Sequence, residues 1–360
     1  MIASKGVHPV LLVLGALGED AFIDSRDANN LPEEVNLLPV VSPQGIMYTI
    51  GPMSVMRSVL LHASRSQWLR ERLPRFQFAR RAVARFMPGE DVGAALNAVQ
   101  GFQPSGIGGV LTYLGENVND AAEAREVTHH YCDVLSRIEA AGLNCEISVK
   151  LTQLGHDIRA DISLANVLTI AERAESAGIF VWIDMEDSSY TDSTLDLYRE
   201  LRSKYPNVGV CLQAYLYRTA RDLETLLPLA PAIRLVKGAY REPPDRAFPR
   251  KKDVDANFLV LATELLNALQ LGSARAAFAT HDPRLIDRIQ AAAGAKRIPK
   301  DAYEFQMLYG IRSGAMQSLR VHGHLGRVLI SYGPAWFPWY MRRLAERPAN
   351  LLFVLRNVFS

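Results

Sequence analysis

A (β/α)8 barrel is the fold class the sequence predicts, on three observations. From Gly106 onward, short β-rich apolar runs alternate with longer helix-period stretches. The runs number eight and recur every ~30 residues, and eight such units over about 250 residues is the length of this barrel. Each run is nearly continuous in its apolar character, the mark of strands buried on both faces in a parallel sheet covered by helices. A doubly wound open sheet is the alternative architecture.

Before the barrel come two segments of opposite charge. Residues 1–52 hold six acids (Glu19, Asp20, Asp24, Asp27, Glu33, Glu34) against Lys5 and Arg26. Turn formers interrupt this stretch and no helical or strand period is sustained, so it reads as a poorly ordered extension. Its apolar run from Pro9 to Leu17 is too short to span a bilayer; with only Lys5 ahead and no cleavage site it is not expected to act as a signal peptide. Residues 53–105 reverse the sign. Between Arg57 and Arg85, the arginines Arg57, Arg65, Arg70, Arg72, Arg75, Arg80, Arg81 and Arg85 face a single acid, Glu71, with Leu60, Leu61, Trp68, Leu69, Phe76, Phe78, Val83 and Phe86 interleaved. Pro74 breaks the pattern into two short amphipathic helices. Two readings stand for them: contact with an anionic membrane surface, or a solvated basic face packed on the main domain.

The barrel is assigned to residues 106–360. Its candidate strands are Gly109–Leu114, Glu146–Thr152, Phe180–Met185, Val208–Ala214, Ile233–Ala239, Ala276–Ala279, Tyr303–Met307 and Arg327–Tyr332. Stretches such as Ala121–Ala141, with acids early and Arg137 late, supply the crossover helices.

Composition sets outer bounds. The 360 residues are 49% hydrophobic, enough for a substantial core, and the net charge of +2 argues against a dedicated nucleic-acid binder. Cys132, Cys145 and Cys211 make no disulfide framework and fit a reducing compartment, so a cytoplasmic location is expected.

Chemistry on this architecture sits at the C-terminal strand ends. The polar residues placed there are Glu116, Lys150, Asp184, Glu186, Gln213, Arg234, Lys237, Thr280, His281, Gln306 and Tyr332. A polar group inside an apolar strand costs several kcal/mol unless partnered. One in every strand therefore points to a polar ligand on the barrel axis. Lys150 and Asp184, on neighbouring strands, form either a structural ion pair or a functional pair that holds each other's charge and orients a ligand. Two cations with a Gly-Ala step in Arg234-Leu-Val-Lys-Gly-Ala-Tyr240 suit close backbone approach to an anionic or planar ligand. Arg342 and Arg343, in the first turns of a final helix, are surface charge or a carboxylate clamp, with Glu116 as a partner for one of them.

Other motifs are weaker. Gly106-Ile-Gly-Gly109 has Leu111 where a dinucleotide fingerprint needs a third glycine and precedes its strand, so it reads as a turn. The pairs His129-His130 and His322/His324 lack metal-site spacing, and no metal is expected.

The ordered set of segments resembles the proline dehydrogenase family, flavin-dependent barrels that oxidise L-proline. Those that carry the resemblance are Thr112-Tyr-Leu-Gly-Glu-Asn-Val118, Ile147-Ser-Val-Lys-Leu151, Ile183-Asp-Met-Glu186, Gln213-Ala-Tyr215, Arg234-Leu-Val-Lys-Gly-Ala-Tyr240, Ala279-Thr-His281, Glu304-Phe-Gln-Met-Leu-Tyr-Gly310 and Met341-Arg-Arg-Leu-Ala-Glu-Arg-Pro-Ala-Asn350. It runs from about Met56 to the C-terminus.

The resemblance implies non-covalent FAD at the strand ends, touched by Gln213, Arg234, Val236, Lys237, Gly238, Ala239, Thr280 and His281, with Met185 beside the flavin and Gln306 at its margin. It implies a proline site walled by Lys150, Asp184, Leu235 and Tyr240, and a carboxylate held by Arg342 and Arg343, with Glu116 as the acidic gate partner of Arg342. In the implied reaction a hydride passes from ring carbon C5 to FAD N5 as the neutral amine becomes the imine of Δ1-pyrroline-5-carboxylate. Arg234 would stabilise charge on the flavin, and electrons would leave to a membrane quinone, giving the basic segment a docking role on the inner face.

One departure bears on substrate. The family's last strand reads Tyr-x-Pro-Tyr-Gly; here Leu329 and Ser331 stand at the first Tyr and the Pro. This leaves 4-hydroxy- or N-alkyl-prolines as alternative substrates. Two further alternatives stand: a flavin barrel resembling methylenetetrahydrofolate reductase, and a silent barrel that acts as a binding protein. Met53 and Met56 lie where the resemblance begins, so a start codon other than Met1 is a further alternative.

Overall fold

In the computed structural model the described residues are 38–41, 47–50, 83–272, 274–336 and 340. Two units are distinguished, and each is taken by itself. In the first, strands β1 (Leu38–Val41) and β2 (Met47–Ile50) pair antiparallel, with Leu38 opposite Ile50. They fall in the segment expected to be irregular. Strands of four residues are too short to leave a sustained period in a sequence window.

The second unit carries the barrel. A leading helix α1 (Val92–Phe102) is followed by β3 (Gly108–Tyr113), α2 (Ala121–Ala140), β4 (Cys145–Val149), α3 (Ala160–Ser176), β5 (Val181–Ile183), α4 (Thr191–Arg202), β6 (Val208–Gln213) and α5 (Thr219–Leu226). Then come β7 (Ala232–Val236), α6 (Lys251–Gln270), β8 (Arg275–Ala279), α7 (Pro283–Ala295), β9 (Tyr303–Leu308), α8 (Ser313–Val321) and β10 (Leu325–Tyr332). Strands β3 to β10 close in sequence order, all parallel, with β10 joined back to β3 by Leu329 opposite Val110. All eight expected strands are present and the open-sheet alternative is excluded.

Local chemistry explains the helix starts. Asp91 and Asp120 cap α1 and α2 through their carboxylates, which accept Ala94 N at 2.9 Å and Ala122 N at 2.8 Å. Asp282 does the same for α7, where Pro283 at the first helical position has no N–H to lose.

The strands divide their side chains between two cores, because alternate residues face opposite sides of the sheet. Leu111, Ile147, Ile183, Val210, Leu212, Ile233 and Leu235 join the core that includes helix residues Tyr131, Ile170, Tyr198 and Phe258. Val110, Trp182, Ala232 and Ala277 form a smaller cluster inside the barrel, packed by Phe180 and Leu329. Trp182 is fully buried there, and Gly209 makes room for it: a Cβ at that position would sit 2.6 Å from the indole.

At the N-terminal mouth the lumen is ionic. Arg275 pairs with Glu146 at 2.5 Å and Glu304 at 3.3 Å, and Arg327 lies 3.1 Å from each. Burial and the neighbouring Glu304 raise the pKa of the Glu146 carboxyl against the pull of both arginines. Among the described residues no helix is long and apolar enough to cross a membrane.

Candidate active site

The C-terminal mouth gathers the charges that the sequence placed at strand ends. Lys150, Asp184 and Lys237 each stand one residue beyond β4, β5 and β7, where their strands were expected to continue. The chain leaves the sheet at these points, so the side chains rim the mouth. Asp184 stays tied to the barrel by its backbone N–H, which donates to Val149 O at 2.9 Å.

Arg234, inside β7, turns into the lumen and is 2% exposed. Its Nη2 donates to Asp184 Oδ1 and to Ser148 Oγ at 2.6 Å, its Nε to Cys211 Sγ at 2.8 Å, and its Nη1 to Gln306 Oε1 at 3.4 Å. Its guanidinium carbon lies 5.2 Å from the centre of the Trp182 ring. Burial works against the Arg234 charge, but Cys211 and Asp184 more than offset it and raise its pKa. Ser148 Oγ in turn donates to Asp184 Oδ1 at 2.9 Å, and Lys150 Nζ stands 3.9 Å from Oδ2. Two cations and a hydroxyl thus hold one carboxylate at the mouth, an arrangement that fixes its orientation.

Beside this cluster Glu186 is buried and accepts from Thr152 N at 3.0 Å and Thr152 Oγ1 at 2.6 Å. Burial pushes its carboxyl up to about 7, against those bonds and Lys150. Gln213 ends β6, and its Nε2 donates to Met185 O at 3.1 Å and Glu186 O at 3.0 Å. The amide is thereby oriented, and its Oε1 is a buried acceptor with no partner. Gly238 has φ +107°, and a Cβ there would lie 2.2 Å from the Tyr215 ring, so only glycine permits the backbone to pass. Lys237 is held by Asp255 at 2.5 Å and Asp282 at 3.3 Å. Thr280 Oγ1 accepts Asp282 N, and His281 Nε2 accepts Leu308 N at 2.9 Å, which requires the proton on Nδ1.

The chain matches the family model for proline dehydrogenase over residues 95–356. It is 39% identical over 307 residues to proline dehydrogenase 2 of Bacillus subtilis subsp. natto, covering 85% of this chain and 99% of that protein. The chain belongs to the proline dehydrogenase family. A proline dehydrogenase of Deinococcus radiodurans is 38% identical over 281 residues, 77% of this chain and 89% of its own. Among solved structures, proline utilization A from Bdellovibrio bacteriovorus, inactivated by N-propargylglycine, superposes with a TM-score of 0.70 at 24% identity. The match covers 81% of this chain and 36% of that one, so the chain spans about a third of the longer protein. The Bradyrhizobium japonicum D778Y variant gives a TM-score of 0.64 at 24% identity, covering 78% of this chain. Both likenesses share the barrel.

Within the barrel of this proline dehydrogenase family member the expected residues separate. Lys150, Asp184, Gln213 and Arg234 converge through Ser148 and the end of β5. Leu235 does not share their face: it is fully buried, opposite Leu212 and Phe278 on the neighbouring strands, in the core toward the helices. Strand alternation sends it outward because Arg234 points in, which removes it from the expected proline wall. Gln306 is 2% exposed and its amide is engaged on both sides, by Glu304 at 2.6 Å and by Arg234, within the lumen. His130 bonds the Tyr332 hydroxyl at 2.9 Å and His324 bonds Gln290. Arg342 and Arg343, and the basic stretch up to residue 82, lie outside the described residues.

Sequence reasoning missed Ser148, Cys211 and Trp182. Ser148 and Trp182 sit in segments quoted for other residues, and alternation was the available signal: each shares the parity of an inward-facing charge on its own strand or one beside it.

Proposed function

We propose that this oxidoreductase of proline catabolism converts L-proline to Δ1-pyrroline-5-carboxylate with FAD at the C-terminal mouth of the barrel. The observation that carries the reading is the Lys150–Asp184–Arg234 cluster, assembled from three strands at the end where such barrels do chemistry. The residues present fit the cofactor. An oriented, buried and unpartnered acceptor at Gln213 suits a planar polar ring, and the glycine-only step at Gly238 suits close backbone approach. Arg234, Val236, Lys237, Gly238, Ala239, Thr280, His281 and Met185 complete the set that would hold it.

FAD, when bound, supplies the two-electron acceptor for the hydride from C5. The protein binds, orients and sets charge. Arg342 and Arg343 would grip the substrate carboxylate, with Glu116 as the acidic partner at the entrance, and Tyr240 would close the ring's side. Lys150 disfavours a second cation nearby and so favours the neutral amine. Asp184, pinned by Arg234, Ser148 and Lys150, orients that amine without moving. The buried guanidinium of Arg234 supplies a fixed positive charge in a water-poor site, where such a group acts strongly. A quinone is the proposed acceptor of the electrons. The alternating arginines and aromatics from Arg57 to Phe86 support docking on an anionic membrane surface.

A second reading has its own observation. Ser331, at the family Pro position, is 1% exposed and its hydroxyl has no partner, while Leu329 packs into the lumen cluster. A spare hydroxyl in place of an apolar ring favours a hydroxylated proline as a further substrate.

The test is anaerobic mixing of flavin-loaded protein with L-proline, trans-4-hydroxy-L-proline, N-methyl-proline or NADH. Bleaching by proline, with pyrroline-5-carboxylate trapped as product, supports the main reading. Faster bleaching by hydroxyproline supports the second, and bleaching by NADH alone or by none of them rejects both.

A further inference from the structure

Two polar bridges run along the barrel axis between the ionic N-terminal mouth and Arg234, and neither has a part in the function derived above. On one side Gln306 Nε2 donates to Glu304 Oε1 at 2.6 Å while its Oε1 faces Arg234 Nη1 at 3.4 Å. On the other, Trp182 Nε1 donates to Glu146 Oε2 at 2.7 Å, with Arg275 5.1 Å from its ring centre and Arg234 at 5.2 Å. Glu146 and Glu304 are the two carboxylates that Arg275 and Arg327 bridge.

The orientation of Gln306 follows from charge. An amide that is 2% exposed must satisfy both ends within the protein. Its neighbours are a carboxylate on one side and a guanidinium on the other. Turned over, the amide would aim its oxygen at Glu304 and its N–H groups at Arg234, opposing both. Anchored by the shorter contact to Glu304, the oxygen can only face Arg234. This engages a fourth N–H of a guanidinium that has five, so the plane of Arg234 is set from below as well as by Asp184, Ser148 and Cys211.

We propose, resting on the flavin reading above, that Gln306 is a positioning residue: anchored on the Glu304–Arg275–Glu146–Arg327 quartet, it aligns Arg234 for the reaction without itself touching substrate or cofactor. Its effect belongs to the chemical step, because Arg234 is the group it orients, and to the redox poise of the bound flavin, because that guanidinium is the fixed positive charge of the site.

The test compares flavin-loaded wild type with Gln306→Met, which keeps the length and removes both bonds, and with Gln306→Asn, which keeps the amide but is too short to span Glu304 and Arg234. The first readout is the rate of anaerobic flavin reduction at saturating proline. The second is the midpoint potential of the bound flavin, measured with a chemical reductant and no proline. Both variants are expected to reduce the flavin about tenfold more slowly, the effect of losing one bond to a charged group, with a more negative potential and KM for proline within about twofold of wild type. If the Met variant fails to fold, the Asn variant carries the comparison. A merely structural role would lower thermal stability or flavin content and leave rate and potential of the loaded fraction at wild-type values, and that result overturns the proposal. A rise in KM alone also overturns it, by placing Gln306 in substrate binding. If wild type takes up flavin but proline does not reduce it, the parent reading fails while the potentials still decide this one; a wild type that takes up no flavin overturns both.

Discussion

Ser148 Oγ lies 2.6 Å from Arg234 Nη2 and gives its own proton to Asp184 Oδ1 at 2.9 Å, so one small hydroxyl orders the cation and the carboxylate of the site. Its register explains why a serine serves. On β4, Ser148 is opposite Thr112 of β3 and Trp182 of β5 and is fully buried, so its short side chain brings the hydroxyl to Arg234 and Asp184 beside the indole. Ser148→Ala is therefore expected to lower kcat/KM for proline about tenfold, the effect of losing charge-assisted bonds, with flavin content unchanged. Steady-state kinetics on protein of known flavin content checks this.

Glu186 should govern part of the pH dependence of stability. Its carboxyl, ordinarily near 4.5, is pushed up to about 7 by burial, so the folded protein holds the proton more tightly than the unfolded chain. The stability this contributes is complete below about pH 4.5 and is lost as pH rises through 7. Glu186→Gln mimics the protonated acid, with its amide N–H toward Thr152 Oγ1 and its oxygen accepting Thr152 N. The variant should flatten the decline between those pH values and gain up to about 3 kcal/mol over wild type above pH 7. Thermal unfolding across that range is the measurement, and parallel curves for the two proteins would contradict it.

Much of this was legible in the sequence, for physical reasons. A strand buried on both faces leaves an unbroken apolar run, so all eight strands of the barrel were readable, and a charge inside such a run, such as Arg234, stands out because burial is costly. Which way a residue faces was harder. Leu235 follows Arg234 in a segment quoted as a unit, yet only one of two consecutive strand residues can face the lumen. The lumen's own wiring was hidden for the same reason. Trp182 reads as an ordinary strand residue, Gln306 reads as a polar strand-end group with no sign of its link to Glu304 and Arg234, and Glu146, Glu304, Arg275 and Arg327 find one another only when the sheet closes.

Gly238→Ala should weaken flavin retention. A side chain at φ +107° is strained and meets the Tyr215 ring, at a cost of about 1–3 kcal/mol. The expected outcome is a roughly tenfold higher dissociation constant for FAD, measured by titrating apoprotein. Phe278→Ala, deep in the barrel wall, should instead lower stability by about 3–5 kcal/mol with FAD affinity retained in the folded fraction.

Arg342→Met is expected to raise KM for proline at least tenfold while leaving the visible flavin spectrum intact, because the proposed carboxylate grip would lose one arm and the proposed cofactor contacts would remain. Unchanged proline kinetics would remove Arg342 from the site.

The most direct test of the central claim is an anaerobic titration of flavin-loaded protein with L-proline, followed by the visible absorbance of the flavin. Progressive bleaching to completion, with pyrroline-5-carboxylate formed in proportion to flavin reduced, is the expected result. A spectrum that proline leaves unchanged, in protein whose flavin a chemical reductant still bleaches, would contradict the assignment of Lys150, Asp184 and Arg234 to proline oxidation.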